Sequence, residues 1–222
     1  ALRIYITPDF ILSSRRRSLL SEKDVFQQLV LGGGAISSAD WLVEICDALT
    51  DRAGEFVEEL HDQILELEEI VLMRELPATG RLARIRKQLI MIRRYLSPQR
   101  DLVARLANEK LSWLDEDDRR RLLDIADRLR RWLDDLDAGV ARSAVLADEI
   151  NNLTAEATNR RAYQMSVMAL MFLPASFLTG LFGINLGGIP GAESPTAFWV
   201  FCGSLLALAT GLAVWLKYRR WW

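Results

Sequence analysis

Apolar residues recur every three or four positions through most of the chain, which is typical of amphipathic helices. The clearest run opens at Ser37-Ser38 and continues to about Glu75. Pro77 and Gly80 follow it, and both residue types end helices. This pattern predicts one long helix that buries a single apolar face.

Two further helices are predicted after that break. One covers about Arg81–Glu109, with Ser97-Pro98 as a candidate interruption. The next begins near Asp115, where acidic side chains suit a helix N-terminus. If it continues to Gly180, it is about 65 residues and about 100 Å long at 1.5 Å per residue. A stalk that enters a membrane explains such a length, and a soluble domain of this size does not require it.

The N-terminal segment has a different pattern. Leu2–Ile6 alternates in polarity, a Pro8-Asp9 turn follows, and the next residues are again apolar, which predicts a β-hairpin. Two strands alone are only marginally stable, so we expect them to complete a larger sheet. A short helix is predicted over Asp24–Leu31, and Gly32–Gly34 ends it. That glycine run reads as a loop, because the Lys and Ser/Thr of a phosphate-binding loop are absent.

Two segments are apolar enough to cross a membrane. Residues 163–182 and 196–216 each supply about 20 mostly apolar positions, which matches a hydrocarbon core of about 30 Å. Basic residues precede the first segment and follow the second, whereas the loop between them has Glu193 as its only charge. By the positive-inside rule, both chain ends are cytoplasmic and the loop is external.

Composition excludes several classes of function. The 222 residues carry a formal net charge of -2, and the arginine runs are interleaved with acids, so nucleic acid is not indicated as a partner. His61 is the only histidine, and Cys46 and Cys202 form no CxxC pair, which argues for reduced thiols. No nucleophile–base pair is evident, so neither an enzyme nor a bound cofactor is expected.

A stripe of small and polar residues runs along the third long helix at steps of three and four. Ten of its eleven positions are small or polar: Asp148, Asn152, Ala155, Asn159, Ala162, Ser166, Ala169, Leu173, Ser176, Gly180 and Gly183. The other faces of the helix carry large apolar side chains. Such a stripe faces something other than lipid.

Two interpretations of this stripe stay open from the residues alone. Small residues at this spacing allow close packing between helices. The alternative is a pore lined by several copies of the helix, in which rings of Asn and Ser oxygens would contact a passing cation. The polar end of the stripe and its period near 3.5 residues favour the pore. A chain with two spans cannot enclose a pore alone, so this interpretation requires a homo-oligomer in the bilayer.

The same residues resemble a known family. A long helix runs into the first span, the external loop opens with Gly183-Ile184-Asn185, and a short second span ends in a basic tail. This arrangement resembles the CorA family of divalent-cation transporters, whose usual signature is Gly-Met-Asn. The isoleucine in that signature, with Phe177–Phe182 before it and Leu186–Gly191 after it, is similar to the zinc-transporter (ZntB) branch.

The resemblance implies a mainly α homopentameric funnel in the inner membrane, in which a stalk helix continues into the first of two transmembrane helices. It implies that Gly183, Ile184 and Asn185 form the entrance, that Asp148, Asn152 and Asn159 line the inner pore, that Leu173 forms an apolar ring, and that Lys217, Arg219 and Arg220 form a basic collar. The transported ion would be zinc or another divalent cation such as magnesium or cobalt. The resemblance implies uptake coupled to protons, with efflux as the alternative, although the stripe itself contains no proton relay.

The resemblance also sets the expected domains. Residues 1–37 would be the C-terminal part of a cytosolic α/β domain whose earlier part is missing, 38–161 a cytosolic helical stalk domain, and 162–222 the transmembrane domain. The transmembrane helices would cover about 163–183 and 196–216, joined by an external loop over 184–195. A two-span scaffold or signalling protein is the alternative from another class.

The first long helix carries an acidic stretch with two interpretations. Its carboxylates are Glu55, Glu58, Glu59, Asp62, Glu66, Glu68 and Glu69. They could sense metal between subunits, with His61 and Glu58 as a candidate zinc site. The other interpretation is a solvated face that pairs with arginines of the next helix. Glu193 similarly reads either as an ion-attracting charge at the entrance or as a solvated loop residue.

Overall fold

The computed structural model describes residues 2–15, 20–183 and 194–218. Within them lie two strands and five helices: β1 (Leu2–Ile6), β2 (Ile11–Arg15), α1 (Leu20–Val30), α2 (Ser38–Leu72), α3 (Arg81–Asn108), α4 (Glu116–Phe182) and α5 (Ala197–Tyr218). The chain divides into two compact units, residues 1–153 and 154–222. Most described residues are helical, so the predicted mainly α class is confirmed.

The N-terminal hairpin forms as predicted. Strands β1 and β2 pair antiparallel, with Leu2 opposite Arg15 and Ile6 opposite Ile11. In the part of the chain that is described, this sheet has two strands. Its inward apolar side chains pack beside the buried residues Val25, Trp41 and Ile45. Helix α1 begins four residues earlier than predicted, and Glu22 in its first turn accepts hydrogen bonds from Ser13 and Arg15 of β2.

Helices α2, α3 and α4 share one apolar core in the first unit. Leu60, Ile64 and Leu67 of α2 are fully buried, together with Leu89 of α3 and Leu136 of α4. These positions follow the three-and-four spacing of the sequence, which located most of this core, although Phe56 at the same spacing is exposed. Each fully buried leucine or isoleucine contributes about 1.5–3 kcal/mol through removal of apolar surface from water.

Capping side chains set the N-terminal ends of α2 and α4. Ser37 accepts the backbone N–H of Asp40 at 3.0 Å and caps α2. Asp115 accepts the N–H of Asp118 at 2.8 Å and caps α4. Asp118 itself is buried, and this burial, with the nearby charge of Asp115, raises the pKa of its carboxyl group.

Helix α3 is continuous through Pro98, so the candidate interruption at Ser97-Pro98 does not occur. Proline removes one backbone donor and its ring crowds the preceding turn. Here Pro98 is exposed, while Leu96 and Val103 remain buried on the core side. Packing of α3 through these neighbours outweighs the lost hydrogen bond.

Helix α4 is 67 residues long and passes through Pro174 without ending. Among the described helices, it is the one long and apolar enough to cross a membrane by length and composition. The apolar stretch of α5 covers Ala197–Leu212 and is shorter. The continuous long helix is therefore as predicted, and the two-span topology stays a prediction.

Candidate ion pathway

The stripe of α4 is exposed along the whole of the second unit. Asn159, Ala162, Ser166, Ala169, Ser176 and Gly180 are all exposed, and Leu173 is 73% exposed. A Cβ atom added at Gly180 would meet no atom within 4 Å. Within this unit the stripe is thus an open face.

The opposite face of α4 is the one that packs. Val167 is buried, and Tyr163, Met171 and Leu178 are half-buried at the same helical face. Near the end of the helix, Phe182 contacts Phe201 of α5 edge to face, with ring centroids 5.3 Å apart. This contact with α5 uses Phe182, which is not a residue of the stripe.

Hydroxyl groups near the stripe bond back to the helix. Ser166 donates its hydroxyl to the carbonyl of Ala162 at 3.0 Å, and Thr179 donates to that of Ala175 at 3.0 Å. A hydroxyl that donates inward keeps its oxygen lone pairs free to accept. Because Ser166 is also exposed, its oxygen can accept a hydrogen bond from outside the helix.

The polar continuation of the stripe lies in the first unit. Asp148 and Asn152 are exposed, whereas Leu146 is buried and Ile150 and Leu153 are half-buried on the other side of the helix. Neither Asp148 nor Asn152 is used to hold the apolar core of this unit. Both are available for contacts outside the chain.

The predicted entrance and collar lie largely outside the described residues. Gly183 is described, and its N–H donates to the carbonyl of Thr179 at 2.9 Å. Ile184, Asn185 and Glu193 fall outside, as do Arg219, Arg220 and the side chain of Lys217. Their roles stay predictions.

The candidate zinc ligands line a groove between α2 and α4. Glu58 and His61 border it with Asp62, Trp132 and Asp135, and its volume is about 240 Å³. The described residues contain no group of three or more His, Cys, Asp or Glu side chains arranged to hold a metal ion. Zinc binding by His61 and Glu58 stays a prediction that needs further ligands.

The acidic stretch of α2 forms few ion pairs with α3. Among the described residues, the ion pair between these helices is that of Arg81 with Glu66, whose hydrogen bond lowers the pKa of the Glu66 carboxyl. The predicted pairing with arginines of the next helix is therefore confirmed at one position. Other acids of α2 pair with α4, as Asp51 does with Arg128 at 2.7 Å.

Two groups beside this stretch were missed by sequence reasoning. Arg84 and Lys87 of α3 line one groove, and Asp135 of α4 lines the groove that Glu58 also lines. The spacing of Arg84 and Lys87 in the sequence places them on one helical face and could have singled them out. Nothing in the sequence places Asp135 beside Glu58, since they are on different helices.

Comparison with known proteins agrees with this fold. The family described as "CorA-like Mg2+ transporter protein" matches residues 1–219. The zinc transport protein ZntB of Pectobacterium atrosepticum is 52% identical over 221 residues, which cover 100% of this chain and 68% of that protein. The chain thus spans about two-thirds of the length of this relative.

Two solved structures are similar in fold. The full-length CmaX protein has a TM-score of 0.77 and 35% identity, over 99% of this chain and 67% of that one. The CorA magnesium transporter of Methanocaldococcus jannaschii has a TM-score of 0.79 and 18% identity, over 96% of this chain and 69% of that one. Its low identity makes it informative about the fold alone.

These matches define the class as a mainly helical metal-ion transporter. The chain belongs to the CorA-like Mg²⁺ transporter family.

Proposed function

We propose that this chain transports divalent cations, zinc foremost, through a pore formed by a homopentamer. The observation that carries the proposal is the 52% identity to a zinc transport protein over the whole chain. At this identity, proteins conserve their fold, and the functional assignment rests on the residues of the site. Those residues are the exposed stripe of α4 and the external Gly183-Ile184-Asn185.

The exposed stripe supports a pore between copies. It is mostly polar or small and exposed, it does not include Phe182, which contacts α5, and the Ser166 oxygen is free to accept. Five copies arranged around an axis would place these residues as rings, with Leu173 as an apolar constriction. The stripe offers oxygen dipoles and no Cys or His, so a cation would keep much of its water.

The proposed topology follows the sequence pattern. The helical segment 38–161 lies in the cytoplasm, 162–222 crosses the inner membrane twice, and both termini are cytoplasmic. Residues 1–37 belong to a cytosolic α/β domain. The apolar part of α4 supports the first span. The second span rests on the apolar run 196–216 of the sequence, which includes the shorter described stretch Ala197–Leu212 of α5.

The proposed entrance lies in the external loop. The Asn185 ring would be the first contact for a hydrated cation, which Glu193 would attract. Inward movement of two charges gains about 4.6 kcal/mol per 100 mV when the interior is negative. This gain favours uptake, and Lys217, Arg219 and Arg220 would form a collar at the cytoplasmic exit. Coupling to protons is a further part of the proposal that a pH gradient would test.

Metal flux into proteoliposomes tests the proposal. A zinc-sensitive dye trapped inside vesicles would report entry through the wild-type chain, and we expect Asn185→Ala to slow it at least about tenfold. Equal rates for both would contradict the entrance role of Asn185. No flux of any divalent cation through a properly assembled wild-type protein would favour a membrane scaffold.

Magnesium is the second candidate cation, because the matching family carries magnesium in its description. The same vesicles loaded with a magnesium dye would compare the two ions directly. Faster magnesium than zinc entry at equal concentration would assign the chain to magnesium transport.

A further inference from the structure

Two grooves of opposite charge flank helix α2 in the first unit. The acidic groove, between α2 and α4, is lined by Val57, Glu58, His61, Asp62, Trp132 and Asp135. The basic groove, between α2 and α3, is lined by Gln63, Arg81, Arg84, Ile85, Lys87, Gln88 and Met91 and has a volume of about 570 Å³. Each groove is therefore open to a partner of the opposite charge.

The charges of both grooves are largely unsatisfied within the chain. Among the described residues, Glu58, Asp62 and Asp135 have no ion-pair partner, and neither have Arg84 and Lys87. All five side chains belong to exposed residues. In the basic groove Arg81 alone is neutralised, by Glu66.

The two grooves lie at the same level of the bundle, on either side of the buried face of α2. Asp62 borders the acidic groove and Gln63, the next residue, borders the basic one. The buried Leu60 and Ile64 separate them on the core side. One copy therefore presents a negative surface on one flank and a positive surface on the other.

We propose that the acidic groove of one copy receives the basic face of α3 from a second copy. The inference rests on the proposed oligomeric transporter and locates a cytosolic contact within it. A two-fold contact that paired the two grooves would have to bring both grooves of each copy into one interface, whereas they lie on opposite sides of α2, one lined by α3 and the other by α4. A head-to-tail contact instead joins opposite charges, and such contacts form rings when the rotation closes.

The spacing of the charges fits this arrangement. Glu58 and Asp62 are four positions apart on α2, and Arg84 and Lys87 are three apart on α3. Side chains three or four apart lie on one helical face about 5–6 Å from each other. Two ion pairs can therefore form side by side, and the half-buried indole of Trp132 adds an aromatic surface for a guanidinium.

Site-directed cross-linking tests the contact directly. In a chain with Cys46→Ala and Cys202→Ala, one tagged copy carries Asp62→Cys and a differently tagged copy carries Lys87→Cys. We expect a short bis-maleimide to join the two tags efficiently when both copies are expressed together. Each single-cysteine chain expressed alone should give at least about tenfold less covalent dimer. Dimers from Asp62→Cys alone would overturn the proposal by showing a two-fold contact.

Charge reversal provides the second test. Asp62→Lys or Lys87→Glu alone should lower the fraction of assembled oligomer at least about tenfold in native mass spectrometry, and the two together should restore it. Glu59→Lys and Arg86→Glu are matched controls, because these exposed neighbours make the same charge changes outside both grooves. Normal assembly of both single reversals would overturn the proposal.

The outcomes separate this contact from the proposed function. A wild-type oligomer that transports zinc but yields no cross-link between positions 62 and 87 rejects the contact and leaves transport intact. A chain that cross-links as expected but passes no divalent cation rejects transport and leaves the contact intact.

Discussion

Gly54 of α2 lies directly against the indole ring of Trp132 of α4. A Cβ atom at position 54 would come within 2.7 Å of Trp132 Cζ2 and 2.8 Å of its Cε2. Real Cβ contacts are not this short, so the two helices approach each other here only because position 54 has no side chain. The same indole ring also forms one wall of the acidic groove.

Gly54→Ala should destabilise the first unit despite the better helix propensity of alanine. Alanine gains about 1 kcal/mol in a helix interior, whereas overpacking against a ring costs about 1–3 kcal/mol. We expect a net loss of about 1 kcal/mol, seen as a lower thermal midpoint in detergent. Gly203→Ala is the control, because a Cβ there meets nothing within 4 Å. If Gly54→Ala changes the thermal midpoint no more than Gly203→Ala does, the Trp132 ring moves aside at no cost and the expectation is wrong.

Asp115→Ala should weaken the start of α4. The Asp115 carboxylate accepts the N–H of Asp118 at 2.8 Å, and removal of such a cap costs about 1 kcal/mol. Asp117→Ala is the matched control, since it removes the same charge in the first turn, and among the described residues Asp117 makes no capping hydrogen bond. Hydrogen exchange of the first-turn amides would measure the difference. Equal exchange in both variants would argue against the cap.

Because of Cys46, the free energy of unfolding should decrease as the pH rises into the alkaline range. Burial, and then the charge of Asp47, raises the pKa of its thiol to about 11. The unfolded thiol ionises near its ordinary value of about 8.5, so between these values the unfolded state loses a proton that the folded state retains. Stability is therefore full below about pH 8.5 and falls as the pH rises toward 11.

Urea unfolding of the full chain at pH 7.5 and pH 10 would measure this effect. Cys46→Ala should lose less stability between the two values than the wild type does. The folded thiol should also react slowly with iodoacetamide at pH 8.5, and denaturant should restore the rate. Rapid labelling of folded Cys46 would contradict the raised pKa.

Ala169→Phe should block the proposed pathway. Ala169 is exposed on the stripe of α4, and a phenyl ring from each copy would fill a narrow pore. We expect zinc entry into proteoliposomes to fall at least about tenfold with normal assembly. Met168→Phe is the control, because Met168 is 60% exposed on a neighbouring face of the same helix. An equal loss of zinc entry in both variants would contradict the assignment of the stripe, and not the neighbouring face, to the pathway.

The sequence by itself determined the helices, the start of α2 at Ser37-Ser38, the buried face of α2 and the small-and-polar stripe of α4. These features depend on local periodicity and on turn chemistry, which act within a few residues. The family resemblance could also be seen in the sequence, because the Gly183-Ile184-Asn185 motif directly follows the first predicted span. The continuation of α3 through Pro98 could not be predicted from the sequence, since packing against distant helices outweighed the tendency of proline to interrupt a helix.

Only the tertiary structure decided which residues meet across helices. It placed Gly54 against Trp132, Glu58 beside Asp135, and Arg128 beside Asp51, pairs that are more than seventy positions apart along the chain. It also left Arg84 and Lys87 unpaired within the described residues while neutralising Arg81. The physical reason is that helix crossing and rotation are set by the whole core, and the periodicity of one helix does not specify its neighbour.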